Sequence, residues 1–266
     1  MTAPEFDRDA PIRRITDERF VATAPPTWAN NMGRTQGGMV TAQSLMAMAL
    51  VVDDPAMHPR SITTHFLRPN EAGDYEVDVT VERRGRTVVN LSARCMRDGR
   101  LTAMAIAVFG VHRESVEFGE LPMPGIAPPD PGRRSDAFTP AQTFPFANHV
   151  VAQHRIGSGS DPDGPMVSGG WMGFADPRPF DAPGLAVLAD AGMMPLWVRW
   201  EEEIPTTTVD YTVHFRTELP RSYPLELAIM ESRTRLVKAG LFDWDATLWG
   251  PDGTVLCQAR QQCITA

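Results

Sequence analysis

The chain has 266 residues, 42% of them hydrophobic and 22% charged, with a net charge of −8 at neutral pH. This length buries a sizeable core in one large domain or two ordinary ones, and no run of about 18 apolar residues exists that would span a bilayer. The acidic balance, with a pI near 5.3, excludes a broad nucleic-acid surface.

The opening segment, "MTAPEFDRDAPIRR", carries acidic groups and no apolar core. Neither a secretory signal nor a transit peptide is expected, and the reading is cytoplasmic. Next comes "GGMVTAQSLMAMALVV", Gly37 to Val52, apolar on nearly every side except at Thr41, Gln43 and Ser44. It predicts a helix wrapped by other structure rather than laid on a surface. Tyr75, Val77, Val79 and Val81 then alternate with Glu76, Asp78, Thr80 and Glu82. That period of two predicts antiparallel strands continuing through Phe109, with a hairpin turn at Asp98-Gly99.

From Leu121 to Pro145 seven prolines fall among scattered glycines, which predicts an extended linker. A second apolar helix is expected from Pro183 to Met194, interrupted by the single carboxylate of Asp190. Further strands follow, with a turn at Asp252-Gly253. In the last strand alternation places Val255, Cys257, Ala259, Gln261 and Cys263 on the inward face. Gln261 is thus a large amide among small apolar positions, and Asp190 a carboxylate among Leu188, Ala189, Ala191 and Met193. Each needs a partner, since an unpaired buried amide costs roughly 1–3 kcal/mol.

The second half echoes the first. His65-Phe66 recurs as His214-Phe215, and Glu82 and Arg86 recur as Glu231 and Arg235, all at an offset of 149. An apolar helix followed by meandering strands, written twice, is what a helix wrapped in an antiparallel sheet needs.

Here a resemblance enters. "RTQGGMVTAQSL" and "HFLRP" resemble the first half of the acyl-CoA thioesterase II family, and "LAD", "TVDY" and "DGTVLCQARQ" resemble its second half. The resemblance implies an α+β double hot-dog fold. Its repeats are expected at residues 15–115 and 140–266, with a proline-rich linker at 116–139. It implies hydrolysis of fatty acyl-CoA by a directly activated water, with Asp190, Thr208 and Gln261 as the catalytic residues. Gly37, Gly38, Gln43 and Arg68 are expected to contact substrate, with Arg34 or Arg68 holding the anionic nucleotide end. No cofactor, metal or membrane insertion is expected, and a homodimer is. The offset takes Thr208 to Pro59, and the turn register takes Gln261 to Ala107, so one site per chain is expected. The family commonly has Asp-His after the threonine and glutamine after the glycine pair, where this chain has Asp210-Tyr211 and Met39.

Other chemistries fit less well. "GSGSD", from Gly157, is not a nucleophile elbow, the six histidines form no zinc motif, and the three cysteines fall at strand positions. A hydratase of the same fold wants a histidine near a helix start, which neither helix has. A non-catalytic acyl-CoA binder is the alternative reading, separated from the hydrolase by Asp190, Thr208 and Gln261 alone.

Overall fold

The computed structural model describes residues 3–30, 32–132, 135, 144–157, 164–200 and 204–265. Among the described residues thirteen strands form a single antiparallel sheet. The first half supplies β1 (Ile12–Arg14), β2 (Arg19–Ala24), β3 (His58–Phe66), β4 (Gly73–Arg84), β5 (Val88–Arg97) and β6 (Arg100–Gly110). The second supplies β7 (Val150–Ile156), β8 (Met166–Phe174), β9 (Thr206–Phe215), β10 (Ala228–Thr234), β11 (Val237–Lys238), β12 (Leu241–Trp249) and β13 (Val255–Thr265). The order across the sheet is β1-β2-β4-β5-β6-β3-β9-β13-β12-β10-β8-β7, with β11 beside β12. Read outward from the β3–β9 seam, the two halves list equivalent strands in the same sequence. The seam pairs Thr63 with Thr212, residues 149 apart, and their hydroxyls lie 2.9 Å from each other.

The alternation read in β4 is present: Tyr75, Val77 and Val79 are buried, and Glu76 and Thr80 exposed. The β5–β6 hairpin turns at Asp98 and Gly99, both at positive φ, as a two-residue turn of that type requires. The matching turn between β12 and β13 runs from Gly250 to Thr254 and is longer, so the extra residues of the second copy sit in a hairpin tip.

Among the described residues four α-helices accompany the sheet: α1 (Glu5–Asp9), α2 (Gly37–Val52), α3 (Ala182–Leu188) and α4 (Pro195–Trp200). α2 spans the predicted segment and is buried over most of its surface, from Gly38 to Leu45 without a break. The expected second helix, Pro183 to Met194, is not continuous. α3 ends at Leu188, and Asp190 lies in the turn that follows, its N–H bonded back to Val187 O at 3.2 Å. Glycine is a poor helix former, and Gly192 lies in the interrupted stretch, where a Cβ would fall 2.4 Å from Met230 Cε.

The proline-rich stretch is also not a free linker. Residues 111–130 lack regular structure, yet Met123 and Ile126 pack on a cluster of Val151, Trp171, Leu227, Ile229 and Trp249. Trp171 and Trp249 donate their indole N–H groups to Ala127 O at 2.8 Å and Leu121 O at 3.2 Å. Most of the remainder, and of the "GSGSD" segment at 157–161, lies outside the described residues.

Candidate active site

The site forms where the start of α2, from the first half, meets the end of α3, from the second. That approach depends on glycine. A Cβ on Gly38 would lie 2.7 Å from Ala186 O and 2.9 Å from Val187 Cα, both backbone atoms that have no room to give. On Gly37 it would lie 2.9 Å from the Phe66 ring and 3.4 Å from Asp190 Oδ2. Two carbonyls at the end of α3 are satisfied, one from each half: Tyr211 of the second donates its hydroxyl to Ala186 O at 2.7 Å, and Gln36 Nε2 of the first donates to Val187 O at 3.3 Å. The turn carrying Asp190 is therefore held from both halves.

Asp190 accepts two hydrogen bonds, from Gly38 N–H to Oδ2 at 2.6 Å and from Gln261 Nε2 to Oδ1 at 2.8 Å. Gln261, 1% exposed, in turn accepts from the Thr208 hydroxyl at 2.6 Å through Oε1. The amide orientation follows from chemistry, because a carboxylate only accepts and must face the NH2 group. Asp190, Gln261 and Thr208 thus form one directed chain. Burial pushes the Asp190 carboxyl up to about 6, against the opposing pull of the Gly38 and Gln261 hydrogen bonds.

Thr208 reaches this chain by an irregularity. Strict alternation in β9 puts it with Asp210, Thr212 and His214, opposite to the buried Tyr211, Val213 and Phe215. The register with β13 slips instead. Gln262 pairs with Asp210, Cys263 pairs with Thr208, and Val209 is left over and 38% exposed. This β-bulge reverses the faces ahead of it and turns Thr208 inward.

A cleft of about 220 Å³ opens beside the chain, lined among others by Gly37, Val40, Phe66, Arg68, Asn70 and Thr208. Arg34 also lines it, so both arginines singled out from sequence are there. Arg68 donates to Leu101 O at 2.7 Å and makes no ion pair among the described residues. Gly37 N–H, at the first turn of α2, makes no hydrogen bond among the described residues.

Gly38 and Gln43 are the exceptions among the residues expected to contact substrate: neither lines the cleft, and Gly38 gives its N–H to Asp190. The Gln43 amide is engaged inside the first half, donating to Thr23 O at 2.7 Å and accepting from the Tyr75 hydroxyl at 2.7 Å. Sequence reasoning also passed over Gln36, Phe66 and Tyr211, which frame the junction. Only the phrase His65-Phe66 and the aromatic at Tyr211 marked two of them.

The first half lacks these groups at matching places. The offset of 149 between Thr63 and Thr212 takes Thr41 to Asp190, and Thr41 donates to the Thr64 hydroxyl at 3.0 Å. In the sheet Ala107 stands opposite Ile62, as Gln261 stands opposite Tyr211. The cysteines are buried, and burial pushes the Cys257 and Cys263 thiols up to about 12, which leaves no thiolate to act as a nucleophile.

Comparison with known proteins bears on the family and the fold. The family profile for the acyl-CoA thioesterase N-terminal domain matches residues 24–110, and that for the C-terminal domain matches residues 124–265. A conserved protein of unknown function with a hot-dog fold from Alicyclobacillus acidocaldarius superposes with a TM-score of 0.87 at 24% identity, covering 100% of this chain and 99% of that one. A putative thioesterase II from Thermobifida fusca gives 0.83 at 20% identity over 100% and 99%, and an acyl-CoA thioesterase II from Mycobacterium marinum gives 0.77 at 17% over 98% of each. A search of curated proteins finds no match. No helix among the described residues is long and apolar enough to cross a membrane. With both halves matched in order and the fold shared end to end, the chain belongs to the acyl-CoA thioesterase family and is a thioester hydrolase with a hot-dog fold.

Proposed function

We propose that the chain hydrolyses fatty acyl-CoA to free acid and coenzyme A at a single site in which Asp190, Gln261 and Thr208 direct a water at the thioester carbonyl. The observation that carries this reading is the Asp190–Gln261–Thr208 hydrogen-bond chain beside a cleft. Asp190 takes the proton of the attacking water. A carboxyl near 6 is ionised at neutral pH yet more basic than an exposed aspartate. Gln261 holds that carboxylate and the Thr208 hydroxyl in place, and the Thr208 oxygen keeps a lone pair for the water. As the water adds, the carbonyl oxygen gains charge, and Gly37 N–H at the positive end of α2 supplies a donor for it. The tetrahedral intermediate then expels the coenzyme A thiolate. Arg34 and Arg68, at the cleft, meet the anionic nucleotide end of the substrate.

The mirrored strand order and the Thr63–Thr212 seam support a duplicated hot-dog, with repeats over residues 15–115 and 140–266 and a helix covered by sheet in each. Function is then asymmetric: the second copy provides the reacting groups, and the first provides the helix start that faces them. Free-thiol release from acyl-CoA substrates of graded chain length tests the proposal. Saturable release that is lost in Asp190→Asn supports it. Tight acyl-CoA binding without release at any length would turn the assignment to a non-catalytic acyl-CoA binder.

A further inference from the structure

Helix α1 precedes the first copy in sequence but docks on the second. Asp7 pairs with Arg178 at 3.0 Å, Glu5 N–H donates to Asp176 at 2.8 Å, and Phe6 is buried against Trp28 and Phe174. Glu5 and Asp9 are one turn apart, so both carboxylates lie on one side of α1. Beside them is His149, at the end of a 3-10 turn, Pro145–His149. One oxygen of each carboxylate and a ring nitrogen of His149 lie within 4.8 Å of one another. No arginine or lysine among the described residues pairs with Glu5 or Asp9. Arg178 is taken by Asp7 and Asp181, and Arg8 by Asp176.

The imidazole itself points to a ligand. His149 is 8% exposed, and its Nε2 lies 3.0 Å from Thr27 O, which only accepts. In the neutral ring Nε2 therefore carries the hydrogen, and Nδ1 presents a lone pair. Nδ1 is buried with no hydrogen-bond partner, and Glu5 Oε2, also an acceptor, stands 3.1 Å away. Two lone pairs at that distance repel unless a proton or a metal ion lies between them. The ligands are also pre-oriented. Trp28 stacks on the imidazole at 4.3 Å and 10°, and its indole N–H donates to Asp9 Oδ2 at 3.0 Å. A ring N–H on a carbonyl and a donor on the ligating carboxylate are the outer contacts that hold metal ligands in place.

We propose that Glu5, Asp9 and His149 form a divalent transition-metal site, of the zinc or manganese type, that clamps the N-terminal helix onto the second copy. One imidazole nitrogen with two carboxylates suits such a cation better than calcium or magnesium, which favour oxygen alone. A separation of 3.1 Å suits neighbouring ligands each roughly 2.0–2.2 Å from an ion. None of the three residues lines the cleft, so the clamp is separate from the hydrolytic site.

The test uses untagged full-length protein, stripped with a chelator and dialysed against micromolar Zn²⁺ or Mn²⁺. Metal content, melting temperature and tryptophan fluorescence are measured. The expected result is one cation per chain, a metal-dependent rise in Tm, and quenching of Trp28 by Mn²⁺. Glu5→Gln, on a partly exposed helix, should remain folded and keep its thioesterase turnover while losing both uptake and the Tm rise. Trp28→Phe should retain the site with affinity weakened roughly 10–100-fold. Wild-type protein that keeps no metal would overturn the proposal and leave a protonated His149–Glu5 ion pair as the account of the cluster. Equal uptake by wild type, Glu5→Gln and His149→Gln would overturn it as well, by locating the metal elsewhere.

Discussion

Thr63 and Thr212 face each other across the β3–β9 seam with their hydroxyls 2.9 Å apart, and they are separated in sequence by 149, the offset at which His65-Phe66 recurs. Two residues related by a repeat can touch only near the axis that relates the copies. Gly38 and Val187, also 149 apart, meet on the helical side, where a Cβ on Gly38 would come within 2.9 Å of Val187 Cα. The axis thus runs beside the candidate site, which explains why one copy can present a helix start to the carboxylate of the other.

Asp190→Asn should lower turnover by roughly two to four orders of magnitude while the protein stays folded. The new amide still accepts from Gly38 N–H through its oxygen. Its NH2 then faces Gln261, whose own amide flips to accept it and turns its NH2 toward the Thr208 oxygen. Circular dichroism and kinetics on one preparation would check this, and near wild-type turnover would remove Asp190 from its proposed role.

The pH dependence follows from the raised carboxyl. As the catalytic base, Asp190 must be ionised, so kcat should rise with pH through about 6 and then level off. Stability carries the opposite sign. Because the folded pKa lies above the unfolded 3.8, the native state binds the extra proton between these values, and the Asp190 contribution falls as pH rises from about 4 to about 6. Asp190→Asn should remove that share of the slope, which urea unfolding across this window would show.

Thr208→Val keeps shape and removes the hydroxyl. It leaves Gln261 Oε1 without its donor, so a stability loss of roughly 1–3 kcal/mol should accompany reduced turnover. Gln43→Ala should separate these effects. It strips partners from Thr23 and Tyr75 inside the first half, so it should lower Tm while leaving kcat/KM close to wild type.

Gly38→Ala should be worse than Gly37→Ala. The first forces a methyl against backbone at 2.7 Å, the second against an aromatic ring that can turn. Overpacking of the first kind costs about 1–3 kcal/mol, and it also moves the N–H away from Asp190. Tm and turnover should fall together in Gly38→Ala.

Trp171→Phe and Trp249→Phe each take an indole donor from the proline-rich segment. Limited proteolysis should then cut faster within residues 111–130, with turnover unchanged. Equal cutting in wild type and both variants would show that the two hydrogen bonds do not hold the segment.

Patterns carried by neighbouring residues were legible in the sequence. The all-round apolar stretch of α2, the alternation in β4 and β13, the turns at Asp98-Gly99 and Asp252-Gly253, and the 149-residue echo each rest on local periodicity or turn chemistry. Gln261 could be singled out as an inward amide needing a partner because β13 keeps its alternation to the end. Three features needed the tertiary structure. The bulge at Val209 depends on how β9 and β13 pair, and without it Thr208 reads as facing outward. The end of α3 at Leu188, before Asp190, is not marked by the apolar pattern, which runs on through Met193 and Met194. Gln43 and Gln261 are both buried amides, and only their neighbours distinguish them: a backbone carbonyl and a tyrosine hydroxyl for one, a carboxylate and a threonine beside a cleft for the other. Sequence spacing sets which face of an element a side chain takes. What it meets there is set by contacts between residues far apart in the chain.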